Sequence, residues 1–224
     1  MTTDLALLRL LQLVSPSLPV GAFTYSQGIE WAVEAGWIRN ASDLEAWLTN
    51  QLEQAVGRLE VPLLARMYAA CEAGDVAALA AWCDHAVAWR ETAELRAEEH
   101  HRGRALADLL VSLEVAGAAA WRDTLGRSQL AGVALAAVHW QIPIRVAALG
   151  YAWGWLENLV LAAVKLIPLG QTDGQRVLQR LAARIPTTVA SGLTLDAGEI
   201  GASLPALAIA SSAHETQYTR LFRS

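Results

Sequence analysis

The sequence is poor in cysteine and in positive charge. Its two cysteines, Cys71 and Cys83, lie in no CxxC motif, so neither a disulfide framework nor a thiolate zinc site is indicated. Lys and Arg number 17 against 22 Asp and Glu, which gives a formal net charge of −5, and the basic residues form no cluster. Nucleic acid, whose phosphates require a concentrated basic surface, is therefore not expected as a partner. We expect both cysteines to be small core residues in a reducing compartment.

Catalytic and targeting motifs are also missing. The sequence contains no HExxH, GxSxG, P-loop or GxGxxG pattern, so the common metalloprotease, hydrolase and nucleotide-binding sites are not indicated. The opening residues Met1 to Asp4 carry none of the positive charge that begins a signal peptide. We therefore expect a cytoplasmic protein.

Apolar residues, in contrast, are abundant and make up 54% of the sequence. One apolar stretch, residues 142–169, is long enough to be mistaken for a membrane span. It contains Arg145, Glu157, Asn158 and Lys165, and a carboxylate at bilayer depth costs roughly 2.5–3.5 kcal/mol. The central helix of a soluble bundle needs only local partners for the same groups. We therefore expect no membrane association, and we favour a soluble protein over a small helical membrane protein.

The pattern of apolar residues, glycine and proline predicts helices throughout. Leucine and alanine dominate the long segments, and glycine and proline stand mostly where helices would start or stop. A helix is predicted over residues 25–34, another begins at Ser42 with Glu45 completing a capping box, and residues 191–205 are predicted to be loop. The expected fold is all-α, a single helical domain over residues 1–224 with roughly eight to ten helices around a long apolar central helix.

One pair of side chains has a spacing that suits metal coordination. Glu98 and His101 stand three residues apart, which places a carboxylate and an imidazole on one helix face. A di-iron carboxylate bundle needs two such pairs, and no second pair occurs in the sequence. We expect a solvated, charged helix face here, with weak nickel or zinc binding as the alternative. No catalytic residue, cofactor or metal site is predicted.

The most informative stretch is SPSLPVGAFTYSQGIE, residues 15–30. Two prolines stiffen it, Gly21 permits a tight bend, and either Thr24 or Ser26 could cap the helix that follows. A constrained loop that exposes aromatic side chains is typical of a recognition surface. The alternative is a well-built connection between two helices.

This stretch resembles a signature near the N-terminus of the UreF family, S-x-x-L-P-x-G-x-F-x-x-S-x-G-x-E. Two further motifs agree with it. Residues 165–171, KLIPLGQ, resemble the family's K-x-x-P-L-G-Q turn at the end of a long helix, and residues 214–222, HETQYTRLF, resemble its C-terminal H-E-x-x-Y-x-R-L-F motif. The three motifs follow one another from the start to the end of the chain, so the resemblance covers nearly all of it.

The resemblance implies a urease accessory protein, a chaperone for nickel insertion that has no active site of its own. Members of the family bind the accessory protein UreD, called UreH in some systems. They then engage the GTPase UreG, and the assembly acts on the urease apoprotein. Some members form homodimers. The resemblance also implies that nickel is handled by the complex and is not a cofactor of this chain.

Two sets of partner-binding residues follow from matching the motifs. Tyr25, Glu30 and Lys165 are candidates for the surface that faces UreG. The tail, residues 213–224, is the candidate contact for UreD, through His214, Glu215, Tyr218, Arg220 and Phe222. Because so short a helix is marginal in water on its own, we expect the tail to fray when no partner is bound. The alternative is that the tail packs on its own domain.

An enzyme-like function is the alternative to a purely accessory one. The protein would then act as a GTPase-activating protein and supply a catalytic arginine to UreG, which can be worth roughly 10³–10⁵ in rate. Exposed arginines such as Arg145 or Arg220 would be the candidates, and nothing in the sequence distinguishes between them.

Overall fold

The computed structural model of the protein describes residues 3–224, and α-helices account for most of it. Ten α-helices have nine or more residues, and no strand occurs within the described range, which confirms the all-α prediction. The α-helices are α1 (Asp4–Leu13), α2 (Ile29–Glu34), α3 (Ala41–Gln51), α4 (Val61–Ala73), α5 (Val76–Ala88), α6 (Ala93–Ser112), α7 (Arg122–Leu125), α8 (Gln129–His139), α9 (Ile144–Leu166), α10 (Gln171–Ala182), α11 (Ile185–Leu193) and α12 (Pro205–His214). A π-helix (Leu52–Glu60) joins α3 to α4, and there are two short 3₁₀ turns, Ala22–Thr24 and Ala197–Glu199.

Proline marks the start of two of the helices. Pro143 is the N-cap residue of α9, and Pro62 lies in the first turn of α4. The predicted capping box at Ser42 is wrong, because the N-cap of α3 is Asn40. Its Oδ1 accepts hydrogen bonds from the backbone N–H groups of Ser42 and Asp43, at 2.9 and 3.1 Å.

Two other predicted segments are corrected. The helix expected from residue 25 begins only at Ile29, because the preceding Gly28 has a left-handed backbone with φ +80°. The segment 191–205 is not all loop, since α11 continues to Leu193 and a 3₁₀ turn follows at 197–199. The small residues that suggested a loop instead allow α11 to pack closely against the π-helix.

The long apolar helix α9 is the centre of the fold, as predicted. It packs against α2, α4, α8, α10 and α11, and Leu156, Leu159 and Val160 on it are almost fully buried. By length and composition α9 could cross a membrane, but 61% of its most apolar stretch is buried inside the structure. Burial on this scale is what a core helix of a helical bundle requires.

Both cysteines are buried and carry free thiols, as predicted. Burial raises the pKa of the Cys71 thiol and of the Cys83 thiol to about 12. Both therefore remain protonated at neutral pH and behave as small apolar core residues.

Backbones of α11 and the π-helix come into contact at two glycines, Gly192 and Gly57. A Cβ atom at Gly192 would overlap the carbonyl oxygen of Gly57 and would lie 2.9 Å from the Cγ1 atom of Val61. No side chain fits at this position without moving one helix away from the other. Gly198, in the 3₁₀ turn, has no neighbouring atom within 4 Å of the equivalent position.

We expect the substitution Gly192→Ala to lower the free energy of unfolding by about 1–3 kcal/mol, because overpacking displaces a helix. The cost of overpacking outweighs the gain in helix propensity, about 1 kcal/mol, that alanine has over glycine. Gly198→Ala is the matched control and should change stability by no more than about 0.5 kcal/mol. Urea unfolding followed by circular dichroism measures both, and an unchanged Gly192→Ala protein would show that the two helices do not touch.

Candidate functional site

The tail, residues 213–224, folds back along the loop that precedes α2. The backbone N–H of Arg223 donates to the carbonyl oxygen of Thr24 at 2.8 Å. The carbonyl oxygen of Ser224 accepts hydrogen bonds from the backbone N–H and the hydroxyl of Ser26, at 2.8 and 2.6 Å. The expectation of a frayed tail is therefore wrong, and the alternative of a tail packed on its own domain is correct. Helix length alone gave the wrong answer because these long-range contacts, not helix formation, hold the segment.

Glu30 of α2 holds the middle of the tail. Its buried carboxylate accepts hydrogen bonds from the backbone N–H groups of Leu221 and Phe222, at 2.6 and 2.8 Å, and faces Nε2 of His214 at 3.1 Å. Gly28 allows α2 to lie close to α12, because a Cβ atom at this position would lie only 3.2 Å from the nearest side chain of α12. The close approach of α2 to α12 thus places one carboxylate beneath two tail amides.

His214 is fully buried between two carboxylates. Its Nδ1 atom lies 2.6 Å from an oxygen of Glu94, and its Nε2 atom faces Glu30. A charged ring can donate a hydrogen bond from each of its two nitrogens to the two carboxylates, whereas a neutral ring can donate from only one. Glu94 also binds the guanidinium of Arg220 at 2.7 Å. These four residues, Glu30, Glu94, His214 and Arg220, are called the tail cluster below.

The tail is also fixed at the start of α6. Oε1 of Glu215 accepts a hydrogen bond from the backbone N–H of Ala93 at 2.9 Å, where the partial positive charge of the helix end favours a carboxylate. Thr92, the N-cap residue of α6, shares a hydrogen bond of 2.8 Å with Ser211 of α12. The first turn of α6 is therefore tied to both α12 and the tail.

A second buried carboxylate, that of Glu98, connects the end of the tail to the core. It accepts hydrogen bonds from Arg102 at 2.8 Å, from the side chain of Gln27 at 2.9 Å and from the hydroxyl of Ser224 at 3.1 Å. Gln27 accepts in turn from the indole N–H of Trp155 on α9, at 3.0 Å. The loop, the tail, α6 and α9 thus share one hydrogen-bond network.

A third network surrounds Arg90. Its guanidinium lies between the carboxylates of Glu60 and Glu99, at 2.8 and 2.7 Å, and the hydroxyls of Tyr151 and Ser128 donate to Glu60 and Glu99 at 2.7 and 2.6 Å. Burial alone would raise the pKa of the Glu99 carboxyl, but Arg90 and Ser128 outweigh it and hold that pKa below its usual value. Glu99 therefore contributes stability that is present at neutral pH and is lost as the pH falls through the lowered pKa.

The predicted solvated face at Glu98 and His101 is only half correct. Glu98 and the adjacent Glu99 are buried, because their donors arrive from segments that are distant in the sequence. His101 is exposed, and its Nδ1 atom lies 3.2 Å from the hydroxyl of Tyr25. Among residues 3–224, no three or more His, Cys, Asp and Glu side chains are arranged to hold a metal ion.

The structure brings residues of the two predicted partner-binding sets into contact. Glu30 from the first set bonds to His214 and Phe222 from the second, and Nζ of Lys165 lies 5.8 Å from the centre of the Phe222 ring. Four of the eight predicted residues are buried, namely Tyr25, Glu30, His214 and Phe222. Side chains of the other four reach the surface, namely Lys165, Glu215, Tyr218 and Arg220.

Exposed apolar side chains and cations surround the anchored tail. Tyr218 is fully exposed at 103% of its reference area, Leu221 is 65% exposed and Phe23 is 62% exposed. Arg223 and Lys165 are also exposed, and Nζ of Lys165 lies over the ring of Phe222. The five exposed residues are called the tail surface below. Leu221 lies in the tail that the sequence predicts as the UreD contact. Phe23 is not among the predicted partner-binding residues, although the expectation of exposed aromatics in the constrained loop points towards it.

Comparisons with known proteins agree with the sequence motifs. The family model described as UreF matches residues 38–182. The urease accessory protein UreF of Pseudomonas putida (strain W619) is 55% identical over 224 residues, which is 100% of both chains. The proteins of the same name from Alcanivorax borkumensis and Citrobacter koseri are 53% and 47% identical, over 98% and 97% of each chain.

We expect Glu30→Gln to release the tail and to lower the free energy of unfolding by about 2–3 kcal/mol. The amide keeps the volume of the side chain but presents an N–H group to groups that also donate, which leaves buried donors unpaired. Glu34→Gln is the matched control, because Glu34 is exposed on the same helix. Urea unfolding, together with the rate of trypsin cleavage at Arg220 and Arg223, measures the two effects. Equal stability and equal cleavage in the two variants would contradict the anchoring role of Glu30.

Proposed function

The chain belongs to the UreF family of urease accessory proteins, and from that premise we propose that it binds UreD and recruits the GTPase UreG to the urease apoprotein. Its task is to bring proteins together so that the nickel metallocentre of urease is assembled. Nickel is the cargo of that complex and not a resident cofactor of this chain. The protein acts in the cytoplasm as a non-catalytic chaperone that regulates the use of GTP by UreG.

The observation that carries this proposal is the anchored tail with exposed apolar side chains. The backbone of residues 221 and 222 is held by Glu30, yet the side chains of Tyr218 and Leu221 point into solvent with nothing to bury them. Large apolar groups on a rigid frame lose little conformational entropy on binding, and tyrosine is frequent among binding hot spots. A partner protein such as UreD is the natural cover for these side chains.

The cations of the tail surface support recruitment of a second, acidic partner. Lys165 and Arg223 are exposed and make no ion pair within the described residues, so their charges are available to a neighbouring protein. Lys165 stands over the ring of Phe222. A protein that contacts Lys165 would therefore lie next to a protein that contacts the tail. We infer that UreD and UreG bind at adjoining parts of the tail surface. We also propose that two copies of the chain can pair as a homodimer within the complex.

Neither nucleic acid nor a membrane is part of the proposed function. The chain is acidic overall, with a formal net charge of −5, which opposes binding to phosphates. The apolar helix α9, the only described segment that resembles a membrane span, is largely buried by its neighbours.

Supply of a catalytic arginine to UreG is the second candidate function, and the exposure of Arg145 favours it. Arg145 is exposed and unpaired among residues 3–224, although a cation gains nothing from its position near the N-terminus of α9. Arg220 is a poorer candidate, because Glu94 already binds its guanidinium. Single-turnover GTP hydrolysis by UreG, with wild-type protein and with Arg145→Ala, separates the functions. A large acceleration that Arg145→Ala abolishes would favour the catalytic role.

The first test of the accessory function is the double substitution of Tyr218→Ala and Leu221→Ala. Both side chains are mostly exposed, so stability should change by no more than about 0.5 kcal/mol. Binding to UreD should weaken at least ten-fold, because each side chain is expected to act as a hot spot. Leu113→Ala is the control, since Leu113 is 39% exposed at the opposite end of α6. Co-purification from cells and titration calorimetry give the readout, and undiminished UreD binding would refute the assignment.

A second test separates the two partners. Lys165→Ala should leave UreD binding intact while recruitment of UreG and activation of urease decrease several-fold, because the substitution removes only a charge from the surface. Arg58→Ala is the control, since Arg58 is also exposed but lies on the π-helix. Full urease activation by the Lys165→Ala protein would show that Lys165 only stabilises the C-terminal end of α9.

A further inference from the structure

We propose that the proton on His214 controls whether the tail is seated, so that the tail is held when this histidine is charged and is released as the pH rises. The inference concerns regulation of the surface on which the proposed function rests. The pH-dependent release of the tail depends only on the tail cluster, so it can be tested without a partner protein.

Among residues 3–224, the charged groups that face His214 belong to the tail cluster. Glu30 approaches from α2, Glu94 approaches from α6, and Arg220 of the tail neutralises the second oxygen of Glu94. With the ring charged, two anions meet two cations and every polar atom has a partner. The site is closed to water, since His214 has no exposed surface.

Loss of the proton makes the same geometry unfavourable. One ring nitrogen would then present a lone pair to a carboxylate oxygen, at the 2.6 Å contact with Glu94 or the 3.1 Å contact with Glu30. The cluster would also carry an uncompensated negative charge in a buried position, which is costly. Glu30 is the same residue that binds the amides of Leu221 and Phe222, so the cost falls directly on the contacts that hold the tail.

The sign of the pH dependence follows from proton linkage. A histidine in solvent loses its proton close to neutral pH, whereas the seated tail requires that proton. Seating therefore takes up a proton once the solution is more alkaline than neutral. Its equilibrium constant should fall with rising pH, by at most ten-fold per pH unit for one proton. At acidic pH no further gain is expected, because the released histidine is then charged as well.

Hydrogen–deuterium exchange of the whole chain tests the proposal. Protection factors, in which the intrinsic pH dependence of exchange is divided out, are measured for the peptide that covers residues 216–224 from about pH 6 to about pH 9. In the wild type this protection should fall at least ten-fold across the range, while peptides of α4 and α8 keep theirs. In His214→Gln the protection of the tail should be low and independent of pH. The control is His139→Gln, because His139 is exposed at the end of α8, and it should behave like the wild type.

Three results would overturn the proposal. The first is a wild-type tail whose protection stays constant across the whole pH range. This result would overturn the proposal even if the His214→Gln protein failed to fold. Another is a loss of protection in α4 and α8 in parallel with the tail, which would mean global unfolding. The third is wild-type pH dependence in a folded His214→Gln protein. Binding to UreD is measured separately at about pH 6.5, where a free histidine is half charged. A protein that never binds UreD would refute the proposed function but would not contradict the pH-dependent seating of the tail.

Discussion

Carboxylates buried in the interior of a helical protein each demand several hydrogen-bond donors, and this demand organises the molecule. Glu30, Glu60, Glu98 and Glu99 are all buried. An unpaired buried charge would cost about 3–5 kcal/mol, a large share of the 5–15 kcal/mol that holds a typical domain together. Their donors come from segments far apart in the sequence, so satisfying the carboxylates fixes how those segments meet.

The tail shows what this constraint does for function. Glu30 and Glu98 bind its backbone and its last side chain, and they leave the outward side chains of Tyr218 and Leu221 uncovered. Buried residues of the site therefore act by positioning, and exposed ones are available for contact. Such a division of labour suits a protein whose proposed work is to assemble other proteins, because a preformed surface loses less entropy on binding than one that must fold first.

Local features of the fold could be predicted from the sequence, while long-range pairing could not. Pro143 and the apolar run after it identify the central helix, and the family motifs identify the residues of the tail site. The burial of Glu98 had no such signal, since its partners Gln27 and Ser224 are 71 and 126 residues away. His214 likewise meets Glu30 across 184 residues and Glu94 across 120. Spacing rules for helices reach only three or four residues, so they describe such groups as scattered.

Backbone dynamics of the free chain test most directly whether the buried carboxylates hold the tail before any partner arrives. Order parameters from ¹⁵N relaxation at pH 6 to 7 should be close to about 0.85 for residues 220–223, equal to those of α9, as for rigid backbone. Values below about 0.6 for these residues beside a rigid α9 would mean that the tail is free in the unbound protein, and that its surface forms only on binding.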